Sequence, residues 1–211
     1  IDMPLQIGRE NIVHMHSDAI VNAANSHLRP GGGVCGAIFD AAGYEDMRCA
    51  CEALGYCAPG EAVMTPGFGL PARYVIHAVG PVWQGGAQGE ERLLRACYRN
   101  CLELALSRGL GSIAFPLISS GIFGYPKAEA LAVAVSEISR FLTHEEMQVF
   151  IVVYDARSFE LSRQVFDSVA SYIDDVYVDA RNAFEARAAE LEYVRCAQAA
   201  PAAAPSGLSA A

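Results

Sequence analysis

The sequence contains no long run of apolar residues, although 53% of its 211 residues are hydrophobic. A helix needs roughly 18 or more consecutive apolar residues to cross a bilayer, so we expect no membrane span. The first residues also lack the basic segment and apolar core that are typical of an export signal. These two absences predict a soluble protein of the cytoplasm.

Basic residues are also scarce. The chain has 15 Lys and Arg against 24 Asp and Glu, which gives a net charge of −9. Proteins that hold nucleic acid regardless of its sequence neutralise phosphates with clustered Lys and Arg, so the charge argues against such a partner. It does not exclude a small anionic ligand, because backbone N–H groups and helix termini bind anions without any net positive charge.

The cysteines do not form a pattern of paired bridges. Their number is seven, which is odd, and reduced thiols in a cytoplasm explain this count most simply. Cys49, Cys51 and Cys57 lack the paired Cys-x-x-Cys spacing of a structural zinc site, so we predict no metal and no cofactor. Cys97 and Cys101 are four residues apart on a predicted helix and therefore share one packed face.

Strand-like and helix-like segments alternate along most of the chain. Strands are predicted at 4–8, 18–24, 61–66, 74–79, 112–118 and 148–154. Helices are predicted at 34–43, 44–55, 90–108, 127–142 and 157–172, with a short helix or turn near 10–16. This alternation favours an α/β fold with largely parallel strand pairing and helices on both faces of the sheet.

The end of the chain differs in composition from the rest. Residues 173–198 are rich in Ala, Glu and Arg and are predicted to form a helical extension. Residues 199–211 consist largely of Ala, Pro and Ser and are predicted to be a disordered tail. We therefore place the main domain at residues 4–172.

A strand, a glycine-rich loop and a helix start follow one another between Ala19 and Gly36. The loop holds Asn22, Asn25 and the triple glycine 31–33. Glycine lets the backbone approach a ligand closely, and the first N–H groups of a helix attract anions. The loop is not a P-loop, because Val34 and Cys35 stand where that motif has Lys followed by Ser or Thr. A flexible surface turn is the alternative.

A second segment of the same kind lies at residues 112–126. Its apolar strand ends in Ser119, Ser120 and Gly121, and Phe123, Gly124 and Tyr125 follow before Pro126 and a helix. Two loops of this type in one domain fit a diphosphate held between them, with Phe123 placed to pack on a sugar or a base. His77 lies inside an apolar strand, which favours a core histidine over a ligand.

Four segments match a known family in order and spacing. They are Asp18–Asn25, Gly31–Val34, Tyr74–Trp83, and Phe115-Pro116 with Ser119–Pro126. On these residues the chain resembles a macrodomain, the ADP-ribose-binding module, and most of all the bacterial MacroD-type branch. The resemblance covers about residues 4–172 and implies a three-layer α/β/α sandwich with a mixed, mostly parallel central sheet.

The resemblance also implies roles for individual residues. Asn25 matches the Asn that contacts the ribose next to the leaving group. Asn11-Ile12 stands where the family has an Asp-Ile pair that contacts the adenine, and Asn11 departs from that Asp. Tyr154 is placed to stack on the adenine or to be a half-buried strand residue, with Phe159 as a reserve candidate. The residues that match or flank the two diphosphate loops are Asn22, Gly32, Gly33, Val34, Ser119, Ser120, Gly121, Ile122, Phe123, Gly124 and Tyr125.

Cys35 is the main departure from the family pattern. Hydrolytic members of the branch carry an Asp at this position, ten residues after the Asn that is Asn25 here, and it activates or positions the attacking water. A cysteine at a helix N-terminus could be a nucleophile, a weak base or a small apolar plug. We therefore name Asn25 and Cys35 as the candidate catalytic residues and leave the role of the thiol open.

Three functions remain compatible with the sequence. The first is hydrolysis of an ADP-ribosyl ester, either O-acetyl-ADP-ribose or a mono-ADP-ribosylated protein. The second is recognition of ADP-ribose without turnover, and the third is an RNA or protein interaction in which ADP-ribose is incidental. An Asp at position 35 would have favoured the enzyme, whereas Cys35 leaves the first two functions open.

Overall fold

The structure is a computed structural model that describes residues 4–154. Its strands are β1 (Leu5–Arg9), β2 (Ala19–Ala23), β3 (Ala62–Pro66), β4 (Tyr74–Ala78), β5 (Ser112–Pro116) and β6 (Gln148–Val153). Its helices are α1 (Gly33–Ala42), α2 (Tyr44–Leu54), α3 (Glu90–Ser107) and α4 (Lys127–Leu142), with a 3₁₀ helix at Ile12–His14. The predicted helix 157–172, the extension 173–198, the tail 199–211 and Phe159 lie outside the described residues.

The six strands form one sheet in the order β1-β6-β5-β2-β4-β3. Every neighbouring pair is parallel except β3 and β4, which are antiparallel. The mixed, mostly parallel sheet predicted from the sequence is thereby confirmed. The chain leaves β2 toward one edge of the sheet and β5 toward the other, so the carboxyl ends of these two neighbours mark the point where an α/β sheet opens into a crevice.

Side chains of each strand alternate between two buried clusters on opposite faces of the sheet. Val21 and Ile76 pack on the face covered by α3 and α4. Ile20 and Val75 pack on the face covered by α1, α2 and the 3₁₀ helix. This period of two is expected of strands that are buried on both faces, and it gives the domain its three layers.

The spacing of two cysteines predicted that they share one packed face of a helix. Cys97 and Cys101 are both fully buried on one face of α3, as their spacing predicted. None of the helices in residues 4–154 combines the length and the apolar character that a bilayer crossing demands. Within the same residues, no three His, Cys, Asp or Glu side chains are grouped so that they could hold a metal ion.

Candidate functional site

A cleft of about 300 Å³ opens at the carboxyl ends of β2, β5 and β6. The last residues of these strands, Ala23, Pro116 and Val153, all contribute to its lining. Parallel strands of an open sheet end at this edge, and the loops that follow them diverge at the crevice between β2 and β5. The topology thus brings two distant loops of the sequence to one cleft.

The first loop contributes Gly31, Gly32, Gly33 and Val34 to one side of the cleft. Helix α1 begins here, and its N-cap Gly32 offers no side chain to satisfy the first N–H groups. Gly33 has a φ of 62°, a left-handed conformation that favours glycine. The loop therefore presents bare backbone and the positive end of a helix toward the cleft, which suits an anionic group.

The second loop contributes Ser119 through Phe123 to the opposite side. Ser119 adopts a φ of 64°, which is unusual for a residue other than glycine. Several hydrogen bonds hold the loop. Among them, the Ser120 hydroxyl donates to the Leu117 carbonyl at 2.8 Å, and the Trp83 N–H donates to the Phe123 carbonyl at 2.8 Å. The second of these bonds ties the loop to the stretch that follows β4.

Asn25 lies at the mouth of the cleft and orders the loop that contains it. Its Nδ2 donates to the carbonyl of Arg29 at 2.7 Å, and its Oδ1 accepts from the N–H of Arg29 at 3.1 Å. An amide carries two N–H donors and two acceptor lone pairs. Asn25 therefore retains one donor and one acceptor with which it could contact a sugar hydroxyl.

Cys35 lines the cleft and is connected to a buried chain of polar side chains. Asn22 Nδ2 lies 3.6 Å from the Cys35 sulfur and 3.1 Å from His77 Nδ1. His77 Nε2 lies 2.9 Å from the Thr65 hydroxyl, which donates to the Met47 sulfur at 3.4 Å. The chain runs from the cleft to the middle of the layer beneath α1 and α2.

The buried histidine in this chain is neutral near pH 7. Burial lowers the pKa of His77 from 6.5 to about 4. Because the Asn22 amide donates to Nδ1, the ring proton lies on Nε2 and is donated to Thr65. The expectation of a satisfied core histidine is confirmed, and Asn22 is its partner.

Asn22 itself is buried beneath the cleft and is not part of its lining. Only 1% of its surface is exposed, and its Oδ1 has no hydrogen-bond partner among the described residues. The sequence placed Asn22 with the ligand-binding residues because it belongs to the same turn as Asn25. The structure separates them, since Asn22 lies within β2 with its side chain packed under α1, whereas Asn25 follows the strand.

The other end of the cleft is lined by Ile12, Val152 and Tyr154. Tyr154 is 75% exposed, so its ring is available to a ligand, and it is not a half-buried strand residue. Asn11 does not line the cleft, because its Oδ1 accepts from the Val13 N–H at 3.3 Å and caps the 3₁₀ helix. The neighbouring Glu10, which no sequence motif pointed to, lines the cleft instead.

The cleft thus unites most of the predicted residues and leaves a few outside. Those that it brings together are Ile12, Asn25, Gly32, Gly33, Val34, Cys35, Ser119, Ser120, Gly121, Ile122, Phe123 and Tyr154. Asn11, Asn22, Gly124 and Tyr125 are not among the lining residues, and Tyr125 is buried with its ring 4.6 Å from that of Trp83. The ligand-binding roles of all these residues stay predictions.

Sequence comparison places a known family model on this part of the chain. The model, described as Macro domain, matches residues 21–134. A Macro domain-containing protein of Methanosarcina mazei is 46% identical over 167 residues, which cover 78% of this chain and 89% of that protein. A protein of an Enterobacter species named O-acetyl-ADP-ribose deacetylase is 48% identical over 161 residues, covering 74% of this chain and 89% of that protein.

Solved structures of similar chains share the fold. The Oceanobacillus iheyensis macrodomain with ADP is 40% identical, with a TM-score of 0.71, and the match covers 75% of this chain and 87% of that one. The Trypanosoma brucei macrodomain in complex with ADP-ribose is 38% identical, with a TM-score of 0.69, and covers 76% of this chain and 68% of that one. At these identities, the two structures resemble this chain in sequence as well as in fold.

Proposed function

Because the chain belongs to the macro domain family, we propose that it binds ADP-ribose in the cleft and hydrolyses an ADP-ribosyl ester. The observation that carries this proposal is the pair of loops, Gly31–Val34 and Ser119–Phe123, that face each other across the crevice between β2 and β5. A diphosphate between them would accept hydrogen bonds from exposed backbone N–H groups on both sides. No cofactor is required for this reaction.

The two ends of the cleft suit the two ends of ADP-ribose, which are the adenosine and the second ribose. Ile12, Val152 and the exposed ring of Tyr154 offer apolar and aromatic surface to the adenine. Glu10 offers a carboxylate oxygen to the adenine amino group, a role that the sequence had suggested for Asn11. Asn25 would contact the second ribose with the donor and acceptor that its own loop leaves unused.

The proposed reaction is attack of a water molecule on the anomeric carbon of that second ribose. The new bond joins the water oxygen to the carbon, the ester oxygen leaves with its electron pair as a carboxylate, and the water proton passes to a phosphate oxygen. The diphosphate of the substrate thereby positions the water, so that no protein carboxylate is needed beside it. Three related proteins named O-acetyl-ADP-ribose deacetylase support a hydrolytic activity.

Cys35 would shape this reaction rather than act as its base. Its sulfur accepts a hydrogen bond from Asn22 at 3.6 Å, and its S–H points to the Arg29 carbonyl at 3.9 Å. Cys35 is 7% exposed and lines the same cleft as Asn25. A second candidate function is recognition of ADP-ribose without catalysis. It is favoured by the residue at position 35, which is a cysteine and not a carboxylate.

Titration calorimetry with ADP-ribose, followed by turnover of O-acetyl-ADP-ribose, tests the proposal. We expect the unmodified protein to bind ADP-ribose and to release acetate, and Cys35→Asp to do so faster. Cys35→Ser is the matched control, because it preserves the size of the side chain and adds no carboxylate. Binding without turnover, restored in Cys35→Asp, would establish the reader instead, and absence of binding would refute the ADP-ribose assignment.

A further inference from the structure

A second cavity of about 290 Å³ adjoins the cleft at its Asn25 end. Gly80 and Phe123 line both spaces and form the wall between them. Ser26, the residue after Asn25, also lines the second cavity. A group attached to a ligand at Asn25 would therefore lie beside this space.

A buried hydroxyl without a partner lies at the junction of the two spaces. Ser119 is 5% exposed, and its Oγ has no hydrogen-bond partner among residues 4–154. A Cβ built on Gly80 would lie only 2.1 Å from this Oγ, so the hydroxyl packs directly against the shared wall. A buried hydroxyl is normally paired, which makes this position a natural contact for a bound group.

The lining of the second cavity is uncharged except for one carboxylate, and hydrogen bonds hold it in place. Glu90 is its ionisable residue, and the Glu90 carboxylate already accepts from the backbone N–H groups of Gln84, Gly86 and Gln88 at 2.7–3.1 Å. Ser26 is held through its carbonyl, which accepts from the Cys57 N–H at 2.9 Å. The remaining lining residues are apolar or amides, namely Pro59, Val79, Pro81, Val82, Gln84, Gln88 and Leu93.

Exposed apolar surface continues out of the cavity. Val82 lies in the stretch that follows β4. It lines this space, and it is 52% exposed. Gln84 and Gln88 beside it offer amide donors and acceptors that match a peptide backbone. Apolar contacts flanked by neutral amides suit a short peptide with small uncharged side chains, whereas a carboxylate would lose its hydration there beside the Glu90 carboxylate without gaining a partner.

We propose that this second cavity is the acceptor-side subsite of the protein, and that it binds the peptide segment that carries the ADP-ribosylated side chain. This inference rests on the proposed function, because it takes the second ribose to lie at Asn25. An acetyl group is far smaller than a space of about 290 Å³ and would leave most of it empty. The size of the cavity therefore suits a peptide segment rather than an acetyl group alone.

The test compares the binding of three probes by titration calorimetry. They are ADP-ribose, a neutral peptide that carries ADP-ribose through a linkage stable to hydrolysis, and the same peptide without ADP-ribose. We expect the modified peptide to bind about tenfold more tightly than ADP-ribose, since the second cavity adds buried contacts. Val82→Trp, which fills the mouth of the cavity, should remove this gain and leave the affinity for ADP-ribose within about twofold.

Leu54→Trp is the matched control, because Leu54 is 41% exposed at the end of α2 and lines neither space. It should preserve the tenfold gain. Equal affinity of the unmodified protein for ADP-ribose and for the modified peptide would overturn the subsite, as would equal losses for both ligands in Val82→Trp. Failure of ADP-ribose itself to bind would refute the proposed function, so the two failures are distinguishable.

Discussion

The two faces of the central sheet differ in what they bury. Beneath α3 and α4 the described strands bury apolar side chains, such as Val21, Ile76 and Phe115. Beneath α1 and α2, the same strands β2, β3 and β4 place Asn22, Thr65 and His77 among apolar neighbours. Since side chains alternate along a strand, neighbouring residues of one strand serve two chemically different layers.

The difference follows from the position of the cleft. Cys35 on α1 lines the cleft and lies above Asn22, so the polar chain supports the cleft from below. Buried polar groups stabilise a layer only when they are paired, and here the Asn22 Oδ1 lacks a partner among the described residues. We infer that the α3 and α4 face provides stability, while the α1 and α2 face also positions the site.

The largest effect is expected on the apolar face. Leu102→Ala removes a fully buried side chain of α3 and should lower the free energy of unfolding by about 3 kcal/mol. The affinity for ADP-ribose should stay unchanged, because Leu102 is not part of the cleft. Urea unfolding and titration calorimetry measure the two quantities. Leu106→Ala, at a side chain that is 37% exposed on the same helix, is the control for the loss of a leucine.

A pH-dependent loss of stability is expected on the polar face. Burial lowers the pKa of His77 from 6.5 to about 4, so the unfolded chain binds a proton here more readily than the folded one. The contribution of neutral His77 to the free energy of unfolding is therefore present in full above pH 6.5 and is lost as the pH drops toward 4. Between pH 7 and pH 4.5 the expected loss is about 2.5 kcal/mol.

Urea unfolding of the unmodified protein and of His77→Gln at both pH values isolates this effect. The variant should lack the part of the pH dependence that His77 causes, whatever its stability at pH 7. His14→Gln, at an exposed position outside the cleft, should keep the full dependence. An identical pH dependence in His77→Gln and the unmodified protein would contradict a buried neutral histidine.

The smallest loss of stability is expected for Asn22→Ala, which tests whether Asn22 supports the cleft or only fills space beneath it. Asn22→Ala removes the donor to His77 Nδ1 and to Cys35, and should lower the free energy of unfolding by about 1–2 kcal/mol. It should also lower the turnover of O-acetyl-ADP-ribose, because Cys35 loses its support. Asn100→Ala, which removes the 2.7 Å bond to the Gly60 carbonyl away from the cleft, should destabilise similarly without a change in turnover. Equal turnover in the two variants would refute the positioning role of Asn22.

Local sequence patterns were sufficient to predict the described elements. The predicted strands and helices agree with the observed ones to within about two residues, because alternating and 3.6-residue apolar periods are properties of short segments. The glycine loop before α1 and the Ser119 loop after β5 were also recognisable, since each stands between a strand and a helix. Their meeting at one cleft follows from the parallel order of β2 and β5.

The side chains that share a turn were harder to assign. Asn22 and Asn25 are three residues apart, yet one is buried beneath α1 and the other lines the cleft. Asn11 and Glu10 are adjacent, and the capping of the 3₁₀ helix decides which one faces the ligand space. Whether such a side chain lines the cleft depends on where the strand ends and on which hydrogen bonds the side chain forms. Residue type determines neither of these.

The sequence by itself determined the α/β layers, the two loops and the family, because these depend on periodicity and on short ordered motifs. Only the tertiary structure decided that His77, Asn22 and Cys35 form one polar chain, and that a second cavity adjoins the first. The second cavity is assembled from segments at Ser26, Pro59, residues 79–93 and Phe123, which are far apart along the chain. Contacts of this kind arise from packing across the sheet, so no local pattern in the sequence records them.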